Sequence, residues 1–97
     1  MQDRIGHNRR HALRMEREAL RAALASEEAR LGLAHAGYRR AARDLDRSCW
    51  QGSAQAPVDR AQAAKDFLRA VTIRKARKAA ELAECEYDLI DHDDLAA

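Results

Sequence analysis

The chain has 97 residues, 35% charged and only 4% aromatic, with a formal net charge of +2. That length accommodates one domain, and that charge is too small by itself to argue for a nucleic-acid partner. No apolar run approaches the roughly 20 residues of a membrane span, and Met1 to Arg17, rich in Arg and His, has no apolar segment of signal-peptide type.

Met1 to His7 is expected to fray, because Gly6 interrupts it and it holds little apolar material. Asn8 is a candidate cap for a helix whose first turn is Arg9-Arg10-His11. From Leu13 the apolar positions run Leu20, Leu24, Leu31, Tyr38 and Leu45, with Ala34 and Ala41 between them. This is the heptad-like seam of a long amphipathic helix. Gly32 and Gly37 each weaken a helix by about 1 kcal/mol relative to Ala. Both lie off the seam, so the spacing predicts one helix over about 8–49.

Leu45 to Pro57 is the hinge, with the chain's one Trp and one Pro. Gly52 suits a helix end and Pro57 a helix start, which places the turn at about 50–56 and the second helix at about 57–92. Asp59 falls in its first turn, where the helix dipole favours a carboxylate. Ala61, Ala64, Leu68, Val71, Lys75, Leu82 and Leu89 mark its seam. The β-branched run Val71-Thr72-Ile73 is too short to displace a helix from that context.

The expected fold is all-α: one helical-hairpin domain over 1–97, made of two long antiparallel helices. Two helices meeting along one seam bury only a stripe each. At about 25 cal/mol per Å², such a stripe offsets chain entropy poorly. A partner is therefore expected, either a second copy or another helical protein, giving a four-helix bundle. The dimer seam would use Leu20, Leu24, Leu31, Tyr38, Leu45, Leu68, Val71, Leu82 and Leu89. With a turn at 52–57, residue i should lie roughly opposite residue 108 − i. Six arginines between Arg4 and Arg21 would then face the carboxylates of Glu81 to Asp94 and set the register.

No catalytic constellation is present, so no enzyme activity and no cofactor are expected. The block Arg69, Arg74, Lys75, Arg77, Lys78, with Arg30, Arg39 and Arg40, should make the middle of the hairpin positive. Phosphate backbones or an acidic partner could use such a face. No aromatics are interleaved for base stacking, so a solvated face is the simpler reading and nucleic acid is not the expected partner. His7 and His11 stand one helical turn apart, but nothing completes a tetrahedral set, and no metal site is assigned. Cys49 and Cys85 fall too far apart along the hairpin for a disulfide, which fits a reducing compartment at folding. The chain is expected in the cytoplasm, or exported without a cleaved signal peptide.

Two short motifs remain. Trp50 and Gly52 form W-x-G within LDRSCWQGSA at the hinge, and Tyr87 and Asp91 form Y-x-x-x-D on the second helix. With the hairpin layout and the length, these residues resemble the WXG family, the small substrates of type VII secretion systems. That resemblance implies hairpins paired as homo- or heterodimers. It also implies that Trp50 and Gly52 lie at the turn, and that Tyr87 and Asp91 form part of a bipartite export signal. In its seam pattern and charge, the chain is similar to a second group, the arginine- and alanine-rich helical-hairpin stalk and chaperone proteins of type III secretion and flagellar export. A basic nucleic-acid-associated hairpin is the third reading.

Overall fold

A computed structural model describes residues 2–49 and 55–96 as backbone, with side chains placed for 8–48 and 55–91. All of the described residues are helical. Helix α1 spans Gln2–Cys49 and α2 spans Gln55–Ala96, and the two pack against each other as an all-α hairpin.

Both helices begin earlier than their sequence signals suggest. Helix α1 runs through Gly6 and Asn8 back to Gln2, so neither a frayed 1–7 segment nor an Asn8 cap describes it. One glycine costs about 1 kcal/mol, too little to end a helix of 48 residues. Helix α2 starts at Gln55, ahead of Pro57. Proline is tolerated there because first-turn N–H groups have no acceptor within the helix. Gln55 Nε2 donates to Asp59 Oδ1 at 3.0 Å, one turn on. The run Val71-Thr72-Ile73 is helical, and Thr72 Oγ1 donates to the Leu68 carbonyl at 2.8 Å.

The chain divides into two compact units, one of residues 1–26 and 76–97, the other of 27–75. A two-helix hairpin has no central core. Each residue meets only the stretch of the facing helix beside it, so packing is local along the seam.

In the unit formed by 1–26 and 76–97, Leu13, Cys85 and Leu89 are buried together and Leu20 packs against them. Cys85 Sγ donates to the main-chain carbonyl of Leu13 at 3.3 Å. The 108 − i rule would put residue 95 beside Leu13, so the register found in this unit differs from the expected one. The earlier start of α2 moves the centre of the hinge towards the N-terminus and accounts for part of the shift. The rest follows from burying Leu13 with Cys85 and Leu89, since weak exposed ion pairs do not outweigh apolar burial in choosing a register. From the expected ladder of arginines and carboxylates, Arg21 Nη2 meets Glu86 Oε1 across the helices at 3.4 Å. Arg17 and Arg21 also reach Glu18 on their own helix, and Lys78 reaches Glu81.

In the unit formed by 27–75, Ala34, Pro57 and Val71 are buried, Val71 completely. Glu27 occupies a seam position with only 10% of its side chain exposed. Its Oε1 accepts from Arg30 Nη1 at 3.2 Å, and its Oε2 lies 3.5 Å from Arg74 Nε on α2. Gly32 and Gly37 are exposed, and a Cβ on either would meet nothing within 4 Å. No close neighbour therefore requires glycine at either position, and α1 continues through both.

Candidate interaction surface

The seam residues proposed for dimerisation lie on the faces that α1 and α2 turn towards each other. Val71 and Leu89 are buried, while Leu20, Leu24, Leu31, Tyr38, Leu45, Leu68 and Leu82 are half-buried. A single facing helix covers such a stripe from one side only, so most of these side chains keep some contact with water. Lys75 and Lys78 hold half-buried positions of the same stripe on α2, which suits long side chains that lay their methylenes on apolar surface and keep the charge in water.

Of the two short motifs, Trp50 and Gly52 lie outside the described residues. Tyr87 is 69% exposed, and Asp91, one turn further along α2, is exposed too. Tyr87 is therefore not a seam residue. The heptad positions of this part of α2 are taken by Leu82, Cys85 and Leu89, which turns Tyr87 outward.

Tyr87 belongs to a second row that the sequence reading did not single out. Ile73, Ala76, Ala80, Ala83, Tyr87 and Ile90 follow one another at alternating spacings of three and four, and all are exposed. Ile90 keeps 62% of its surface open. Helix α1 has a comparable outward row in Ala12, Met15, Ala19, Ala22, Ser26, Ala29 and Leu33, of which Leu33 is 74% exposed. The alternating spacing was visible in the sequence, but alanine is common on any helix surface, and the larger seam leucines dominate the pattern.

The central positive face is partly neutralised. Arg30 and Arg74 are drawn to Glu27, and Lys78 to Glu81. Arg39, Arg40, Arg69 and Arg77 are exposed without an ion pair among the described residues. Asp59 and Asp66 instead accept hydrogen bonds from Gln55 and Gln62.

Cys85 is a free, buried thiol whose pKa is raised by burial first, then by the nearby Glu16, Asp88 and Glu86 carboxylates against an opposing effect of Arg17. A protonated, enclosed thiol is a poor nucleophile. Among the described residues no group of three His, Cys, Asp or Glu side chains is placed to hold a metal, and His7 and His92 have side chains outside that set. No described helix is long and apolar enough to cross a membrane. Comparison of the chain with family models, curated proteins and solved structures finds no match.

Proposed function

We propose that this chain is a non-enzymatic helical module that works by binding another helical protein, a second copy or a different chain. The observation that carries this reading is the exposed row from Ile73 to Ile90, which includes Tyr87 at 69% exposure. Apolar side chains at alternating spacings of three and four residues form the stripe that a helix presents to another helix. Left in water, such a row gains nothing; covered by a partner helix, it contributes burial.

The finer reading is a small WXG-type protein of a type VII secretion system, with Trp50 and Gly52 at the turn and Tyr87 and Asp91 on the recognition surface. The exposure of Tyr87 and Asp91 supports it. A stalk or chaperone role in type III secretion or flagellar export uses the same hairpin without those motifs. The test is Tyr87→Ala, with helicity, melting point and partner binding measured together. Loss of binding with the fold intact supports the module. Loss of helicity or a large fall in melting point would make Tyr87 structural and remove the reading.

A further inference from the structure

Charge is distributed unevenly along the chain. Residues 27–75 carry ten Lys or Arg against six Asp or Glu, and the remaining residues carry eight against ten. Within that division, two rows are matched in spacing. On α1, Arg40, Arg43 and Arg47 follow at intervals of three and four, all exposed and none in an ion pair among the described residues. On α2, Glu84, Asp88 and Asp91 follow at intervals of four and three. Glu84 and Asp91 are exposed, Asp88 is half-buried, and none of the three meets a cation among the described residues. The neighbouring Glu81 and Glu86 are already taken by Lys78 and Arg21.

Resting on the reading of the chain as a helix-binding module, we propose that the partner is a second copy, held by an antiparallel contact of α1 from one copy with α2 of the other. Arg47 meets Glu84, Arg43 meets Asp88 and Arg40 meets Asp91. Residues three and four apart share a helix face, and a helix rises about 1.5 Å per residue. An interval of three then four read along one helix matches four then three read along an antiparallel neighbour, so all three pairs form at one register. The rows belong to different units, and no ion pair engages either row among the described residues. Each copy carries both rows, and the contact joins unlike surfaces, so it is heterologous and one copy can give its arginines to a second and its carboxylates to a third. Tyr87 and Ile90, exposed beside the carboxylates, add the apolar area that ion pairs alone do not supply.

The experiment is a charge exchange followed by sedimentation. Arg40→Glu/Arg43→Glu/Arg47→Glu forms one variant and Glu84→Lys/Asp88→Lys/Asp91→Lys the other, with circular dichroism on each. The exposed-only pair Arg40→Glu and Asp91→Lys is the reserve if the half-buried Asp88 disturbs folding. The wild type should self-associate, less so as salt rises from about 50 mM to about 500 mM. Each variant alone should dissociate about tenfold more readily or worse, and an equimolar mixture should recover the wild-type mass. Self-association that neither variant weakens, or a mixture that stays monomeric, overturns this contact while leaving the module reading intact. A wild type that is monomeric at low salt overturns it too, and the module then needs a different chain. Loss of duplex-DNA binding in the arginine variant, without any self-association, would assign that row to phosphate instead.

Discussion

The thiol of Cys85 and the main-chain carbonyl of Leu13, 3.3 Å apart, join α2 to α1 inside the buried cluster that Leu89 completes. The Leu13 carbonyl lies within α1, past its first turns, where it already accepts from its own helix, and the Cys85 thiol donates to that oxygen's second lone pair. Because the donor is small and buried, this contact tolerates little sliding of one helix past the other.

Cys85 should therefore resist modification. In a Cys49→Ser background, labelling by a water-soluble disulfide reagent should be much slower in buffer than in denaturant, since both access and thiolate fraction fall on folding. Equal rates in the two conditions would show that the cluster opens freely. Cys85→Ala should cost about 1–2 kcal/mol through lost packing, read as a lower denaturant midpoint.

The same thiol gives the pH dependence a definite sign. Its folded pKa lies above the ordinary value of 9.0. Its contribution to stability is thus whole below that value and is lost as pH rises towards and through the folded pKa, because the unfolded chain then releases the proton more readily. Thermal melts from pH 7 to about pH 10 should show a decline at the alkaline end that is smaller in Cys85→Ala. An identical decline in both proteins would assign it to other groups.

Glu27→Leu should raise the melting point, corresponding to about 1 kcal/mol. Arg30 and Arg74 are about half exposed and can turn to water, so removing the carboxylate strands no buried charge, while leucine gains burial at a seam position. A fall instead would mean the ion cluster stabilises the fold more than the apolar side chain that replaces it.

Gly32→Ala and Gly37→Ala should each stabilise by about 1 kcal/mol, because both positions are helical, exposed and open to a Cβ. The double variant should gain roughly the sum. A null result at either position would point to a partner helix that approaches there closely enough to need glycine.

Val71→Ala tests the opposite extreme. As a completely buried side chain at the seam, it should cost about 2 kcal/mol on truncation, whereas Tyr87→Ala should change stability by less than about 0.5 kcal/mol. Comparable losses at both sites would contradict the burial contrast between them.

The sequence by itself determined the two long helices and the inward stripe, because heptad spacing is a local signal. Leu31, Tyr38 and Leu68 were readable as seam residues for that reason. Only the tertiary structure decided the register, since which stretch of α2 lies beside Leu13 depends on how side chains on both helices fill one seam, and no local pattern states that. It also decided which charges are free. Glu27 looked like any surface carboxylate and lies buried against two arginines, whereas Arg40, Arg43 and Arg47 lie exposed without partners. Tyr87 follows the same logic: its spacing was visible, but its outward orientation follows from Cys85 and Leu89 holding the inner face of α2.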